Sequence, residues 1–272
     1  MIGIFDSGTG GLAAARTIAD CLPGYGIIYF GDTARTPYGT KSPETIARYV
    51  IEGLDFLVSR GAKLIVVSCD SASSVVSSSV RDRYDVPVLD TITAGAEYCL
   101  ERSGGRRVGI LTSRATGLSG VFERRIKQLD SRRKVFCTPC PLLVPLIEEG
   151  WGNKMETIRI LKTYLHPLKA VQVDTLILAC SHSLPLQPVI QRKMGKRVKI
   201  VDSSVAVAAH VCHYLDTHSE LNQLLDKASQ LAVYVSDITD QVKSVANQFF
   251  KHDIPLERVD LTVPVSPLSS DF

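Results

Sequence analysis

The sequence has little net charge, no long apolar run and no low-complexity tract. Lysine plus arginine number 31 against 28 aspartate plus glutamate, a formal charge of +3. So small an imbalance gives no electrostatic reason to expect a nucleic acid or a membrane surface as partner. With 45% hydrophobic residues the chain can bury a core, which excludes intrinsic disorder. No stretch approaches the roughly 18 to 20 consecutive apolar residues of a membrane-crossing helix. The opening MIGIFDSGTGG has neither a basic leader nor a long apolar stretch, so no secretory signal is expected. Seven scattered cysteines are an odd number and do not read as a disulfide framework. The expectation is a reduced, cytoplasmic compartment with thiols free for chemistry.

Signatures of bound groups are also scarce. Cys137-Thr138-Pro139-Cys140 is a single C-x-x-C without a second pair, too little for a zinc site. Gly8-Thr9-Gly10-Gly11 lacks the G-x-G-x-x-G spacing and is not a Walker loop, so it carries no nucleotide signature. It suits the approach of backbone amides to a carboxylate at a helix N-terminus instead. His210, Cys212, His213 and His218 read as ordinary positions of an amphipathic helix. Neither a metal nor a nucleotide is expected from these motifs.

What is present is alternation. Short Val/Ile/Leu-rich runs occur at Ile2–Phe5, Leu64–Val67, Val86–Leu89, Val108–Leu111, Thr175–Leu178, Val198–Val201 and Leu231–Val235. Their length and their Gly, Pro, Ser or Asp boundaries predict fully buried parallel strands. Segments such as Pro43–Ser59 and Glu156–Leu168 are long enough for crossover helices. The fold class expected is α/β with parallel sheets.

The runs also repeat. Ile2-Gly3-Ile4-Phe5-Asp6-Ser7 matches Val108-Gly109-Ile110-Leu111-Thr112-Ser113 at an offset of 106 residues. Ile65–Cys69 matches Leu176–Cys180 at 111, and Val86–Asp90 matches Val198–Asp202 at 112. Three matches in one order predict two similar α/β halves. Residues at the carboxyl ends of parallel strands face the ligand crevice. Asp6, Cys69, Thr112 and Cys180 all follow apolar runs and are placed there.

A buried, inert thiol is the ordinary fate of a free cysteine. Two cysteines at equivalent positions of a repeat argue for more. If the halves face each other, Cys69 and Cys180 approach one carbon from opposite sides, as inversion of configuration requires. Each precedes small polar residues where a helix should begin, and a helix N-terminus or a nearby His⁺ favours thiolate. His182, two residues after Cys180, is placed to hold or exchange the thiol proton. Asp6 is placed to assist the other half, to cap the helix beginning near Gly10–Leu12, or to do both.

These residues carry a resemblance. Phe5-Asp6-Ser7-Gly8-Thr9-Gly10-Gly11-Leu12, Gly31-Asp32-Thr33-Ala34-Arg35-Thr36-Pro37-Tyr38-Gly39, Pro145-Leu146-Ile147-Glu148-Glu149-Gly150 and the two cysteine segments resemble the cofactor-independent glutamate racemases of the aspartate/glutamate racemase superfamily. The resemblance runs in order from about residue 2 to residue 260. It implies two doubly wound α/β domains facing each other across a cleft, residues 1–93 plus 205–262 and 94–204, with a loose tail over 263–272. It implies two-base racemisation of free glutamate without pyridoxal phosphate, supplying D-glutamate for peptidoglycan. Cys69 and Cys180 would be the bases, with Asp6 assisting the first and His182 the second. Ser7, Pro37, Tyr38, Gly39, Asp70, Ser71 and Ser181 would hold the substrate, with Glu148 a further family position. A homodimer is implied as well.

The chain departs from the family pattern beside both cysteines. Asn-Thr after the first is Asp70-Ser71 here, and Thr-His-Tyr-Pro after the second is Ser181-His182-Ser183-Leu184. An ionised Asp70 only accepts hydrogen bonds and repels a substrate carboxylate. Other readings therefore stay open: a racemase of another amino acid, or a catalytically weak relative kept for binding. A Cys/His hydrolase built on Cys180 and His182 is a third, though it leaves Cys69 unexplained.

Overall fold

The computed structural model describes residues 1–228 and 230–261, with the backbone alone for Ser181 and His182. The expected tail, 263–272, lies outside the described residues. Strands run β1 (Ile2–Asp6), β2 (Ile27–Gly31), β3 (Leu64–Val67), β4 (Val88–Asp90), β5 (Arg107–Thr112), β6 (Lys134–Pro139), β7 (Thr175–Ala179), β8 (Lys199–Asp202), β9 (Leu231–Val235) and β10 (Leu256–Arg258). They form two sheets, ordered β10-β9-β2-β1-β3-β4 and β6-β5-β7-β8, with every pairing parallel.

The internal repeat is visible in this topology. The central strand of each repeat, β1 or β5, is flanked by its successor on one side and by β3 or β7 on the other. The matched cysteines thus follow equivalent strands, β3 and β7. The matched aspartates Asp90 and Asp202 both cap helices. Asp90 accepts from the N–H groups of Ile92 and Thr93 at 2.8 Å, and Asp202 from that of Ser204 at 2.8 Å.

Strand alternation explains why helices cover both faces. Ile2 and Ile4 pack with Leu12, Ile18, Val207 and Val211 on one face, while Phe5 packs with Phe30, Val50 and Leu54 on the other. The helix Pro43–Ser59 follows its sequence signals: Ser42 accepts from the Thr45 N–H at 3.3 Å, Pro43 opens the first turn, and Ile46, Val50, Leu54 and Leu57 turn inward. Helices Thr91–Arg102 and Ser203–Thr217 contribute to cores of both sheets, through Ile92 and Ala94 and through Ala206 and Val207. Each fully buried side chain of this size stabilises the fold by about 1.5–3 kcal/mol.

Two strand expectations need correction. Full burial holds for β1, β3 and β7 but not for β8, which is an edge strand, nor for β9, whose alternate residues are half-exposed. The run Val86–Leu89 starts as a strand only at Val88. No helix among the described residues is long and apolar enough to cross a membrane.

Candidate active site

Chain segments that leave the carboxyl ends of β1, β3, β5 and β7 meet in one pocket. Its walls are Ser7, Thr36, Pro37, Tyr38, Gly39, Cys69, Asp70, Ser71, Ser113, Val144, Ala179 and Cys180, enclosing about 380 Å³ including the mouth. So small a space, open mouth included, suits a metabolite of a few heavy atoms rather than a polymer. Among the described side chains, none of the walls is a Lys, Arg or His.

Cys69 stands at the end of β3, buried, where it precedes a single helical turn, Asp70–Ser73. Its Sγ lies 3.1 Å from Ser7 Oγ. Burial pushes its thiol up to about 12, and the Asp6 carboxylate adds to this. The Ser7 hydroxyl and the Ala72 N–H act the other way, while Asp70 again raises it. The expectation of a favoured thiolate at Cys69 is thus corrected, because one helical turn is too weak to offset burial beside a carboxylate. The Val75-Val76 pair that follows is a poor continuation for a helix.

Asp6 does not line the pocket. It lies buried behind it, accepting from the Gly8 N–H at 2.8 Å and from Ser68 Oγ at 3.4 Å. The helix begins at Leu12 without a side-chain cap, so the capping role expected for Asp6 falls on the turn before it. Gly11 is required by this packing: a Cβ there would stand 2.6 Å from Asp6 Cβ.

Asp70 is buried in the pocket wall, and its Oδ1 has no hydrogen-bond partner. Burial raises its carboxyl to about 7, with Asp6 and Asp90 adding to the shift and the Thr91 hydroxyl opposing it. An ionised Asp70 that repels a substrate carboxylate is thus disfavoured, because burial shifts this carboxyl toward its neutral form.

The loop carrying Pro37-Tyr38-Gly39 is pinned from below. Fully buried Asp32 accepts from Arg35 Nε at 2.6 Å, from Ser236 Oγ at 2.8 Å and from the Tyr38 hydroxyl. Arg35 also pairs with Glu52 and lies 3.9 Å from the centre of the Tyr49 ring. Tyr38 therefore lines the pocket while its hydroxyl is engaged by Asp32. Gly39 lets the loop touch the other half, since a Cβ there would lie 2.7 Å from Ser113 Cβ. Beside it Ser71 Oγ and Ser113 Oγ are 2.8 Å apart, and Ser113 accepts from the Thr116 N–H as the cap of helix Arg114–Ser119.

Cys180 follows β7 and is partly exposed, at the start of the 3₁₀ turn Ser181–Leu186 rather than of an α-helix. Cys140 is buried nearby, its thiol held protonated by burial and by Cys180, and it donates to the Thr138 carbonyl at 3.3 Å. The side chains of Ser181 and His182 lie outside the described residues. Thr112 is buried but is not a pocket wall, and half-buried Glu148 at the end of helix Leu143–Glu148 is not one either. Ser113, one residue beyond Thr112, is a wall not expected from the sequence, as are Thr36, Val144 and Ala179. The signal was there, because the repeat aligns Ser113 with Ser7. Among the described residues no three His, Cys, Asp or Glu side chains gather as metal ligands would, and His210 contacts Glu97 at 3.1 Å instead.

This fold has counterparts in known proteins. The Asp/Glu/Hydantoin racemase family model matches residues 12–211. The chain is 40% identical over 248 residues to a glutamate racemase of Geobacter metallireducens, covering 91% of this chain and 92% of that one. Glutamate racemase isoform RacE1 from Bacillus anthracis superposes with a TM-score of 0.90 at 28% identity, covering 97% of this chain and 98% of the other. The Francisella tularensis glutamate racemase, solved in complex with D-glutamate, gives 0.85 at 33% identity over 96% of this chain and 97% of the other.

Proposed function

This chain belongs to the Asp/Glu/Hydantoin racemase family, and from that premise we propose that it interconverts L- and D-glutamate by a two-base mechanism in which Cys69 and Cys180 face opposite sides of the α-carbon. The observation that carries this reading is the meeting of two strand-end cysteines, from equivalent strands of the two sheets, in one small pocket. The names of the relatives supply glutamate as the substrate.

One sulfur, as thiolate, takes the α-proton, and the other, as thiol, returns a proton to the opposite face. The products are the mirror-image amino acid and an enzyme with thiol and thiolate exchanged. The environment of Cys69 fits such a base. A thiol raised to about 12 is seldom ionised, but once ionised it is a stronger base toward a weakly acidic C–H. Ser7 and the Ala72 N–H stabilise that thiolate, and the ammonium group of the substrate would add to them. Asp6 acts through the Cys69 side and His182 through the Cys180 side. Ser7, Ser71, Ser113, Ser181 and the Pro37–Gly39 loop hold the substrate.

The same proposal includes chemistry without a cofactor, action in the cytoplasm, a homodimer and D-glutamate delivered to peptidoglycan. It also keeps the division into 1–93 plus 205–262 and 94–204, supported by which strands join which sheet. The test is racemisation of L- and of D-glutamate by the purified chain with no cofactor added, followed by circular dichroism. Cys69→Ser and Cys180→Ser should each lose about a thousandfold or more, within the range expected for a general acid or base, while keeping the far-ultraviolet spectrum. Full activity in either variant refutes the two-base reading, and no turnover by the native chain refutes the choice of substrate.

A further inference from the structure

Among the described side chains Asp70 is the one carboxylic acid of the pocket walls, and none of those walls is a cation. Its own helical turn presents Cys69 and Ser71. β1 presents Asp6 from behind, and the β4 end with its following helix presents Asp90 and Thr91. On this side the Arg81 guanidinium is already paired with Asp90. Asp90 is further held by the N–H groups of Ile92 and Thr93. Asp70 is thus flanked by two carboxylates and a thiol, with one oxygen buried and unpartnered.

A dicarboxylic amino acid brings two carboxylates and one ammonium into this pocket. With no cationic wall among the described side chains, its carboxylates must be met by neutral donors, and the hydroxyls of Ser7, Ser71 and Ser113 are of that kind. A carboxylic acid that keeps its proton joins this set, since it carries one O–H donor. The same group without its proton only accepts and would repel the ligand.

We propose that Asp70 meets the substrate as a neutral carboxylic acid, donating its O–H to a substrate carboxylate, so that its protonation gates substrate affinity. This deepens the racemase reading of the pocket and rests on it. With its carboxyl at about 7, the gate is open below neutrality and closes above it. Affinity then falls about tenfold per pH unit in the alkaline range, while kcat at saturation follows the thiols instead. An amide at this position is a donor at every pH.

The experiment measures KM and kcat for L-glutamate from pH 6 to 9 in the native chain and in Asp70→Asn. The ratio of native to variant KM is expected to grow from about twofold or less at pH 6 to about tenfold at pH 8 and about a hundredfold at pH 9. A ratio that does not change with pH overturns the proposal. So does a variant KM tenfold or more above the native value at pH 6, the mark of an ionised Asp70 bound to the ammonium group. A second readout needs no turnover. In carbon-13 spectra of aspartate-labelled protein, the carboxyl resonance lost in Asp70→Asn should titrate near pH 7. A midpoint below 5 overturns the proposal whatever the substrate. A midpoint near 7 in a chain that does not turn over glutamate shifts the failure to the racemase reading.

Discussion

Replacing Asp70 by Asn should change how folding stability depends on pH. Folding lifts the Asp70 carboxyl from 3.8 to about 7, so the native state binds that proton more tightly than the unfolded chain does. The sign follows from this order. Below the unfolded value both states are protonated and the burial of Asp70 costs no ionisation energy. As pH rises toward 7 the unfolded chain ionises and gains, while the native state does not, and stability falls. Above 7 the loss levels off. One unit is worth about 1.4 kcal/mol, so a shift of about 3 units levels off near 4 kcal/mol. At pH 5.5 the unfolded carboxyl is already about 1.7 units past its midpoint, which accounts for about 2 kcal/mol. The remaining roughly 2 kcal/mol is lost between pH 5.5 and 8.5. An amide has no such titration. Urea unfolding at the two pH values, followed by circular dichroism, should therefore show Asp70→Asn gaining on the native chain by about 2 kcal/mol as pH rises. With a slope of about 2–3 kcal/mol per molar, the difference in midpoints should grow by roughly 0.7–1 M. Parallel pH dependence of the two proteins would refute the argument, because it would mean that Asp70 is ionised in both states.

Other positions make independent predictions. Ser7→Ala removes the hydroxyl 3.1 Å from Cys69 that favours its thiolate. A bond to a charged group is worth about 1.5–3 kcal/mol, so the rising limb of the pH–rate profile should move up by about 1–2 units, and an unmoved profile contradicts this. Gly39→Ala would press a methyl group to 2.7 Å from Ser113 Cβ, on a residue fixed as a helix cap. Calorimetry should show a loss of about 1–3 kcal/mol together with a raised KM, and unchanged values of both would contradict the close approach. Asp32→Ala strips the acceptor from Arg35, Ser236 and Tyr38 under the pocket loop. Breaking this buried pair should cost about 3–5 kcal/mol in denaturant titration, and a loss below 1 kcal/mol would show that the network is dispensable.

Most central strands were legible because burial on both faces leaves an uninterrupted apolar run, as in Leu64–Val67 and Thr175–Ala179, but the equally buried Ile27–Gly31 was not read as a strand. Lys134–Pro139 escaped notice because it is an edge strand with no buried residue, ending in a proline that such an edge tolerates. Leu256–Arg258 is three residues long and mostly charged. In the site, strand ends pointed to Cys69 and Cys180, and the structure brings both to one pocket. Periodicity could not show that Thr112 turns into the core while Ser113 reaches the cleft. Nor could it show that the Tyr38 hydroxyl is taken by Asp32, a contact set by loop geometry. The raised carboxyl of Asp70 lay furthest from the sequence. It depends on burial and on Asp6 and Asp90, which come from other strands.

The central claim, one sulfur for each face of the α-carbon, is tested most directly by following hydrogen at that carbon. L-glutamate is incubated with the native chain in D₂O, and both enantiomers are separated and weighed by mass spectrometry before the reaction has gone far. With two bases, the proton returned comes from a sulfur that has exchanged with solvent, while the proton removed stays on the other sulfur. The D-glutamate formed should then carry one deuterium at the α-carbon in essentially every molecule, and the remaining L-glutamate should carry almost none. The mirror experiment from D-glutamate should give the mirror result. Equal labelling of substrate and product at early times would contradict the account, because it would mean that one base serves both faces.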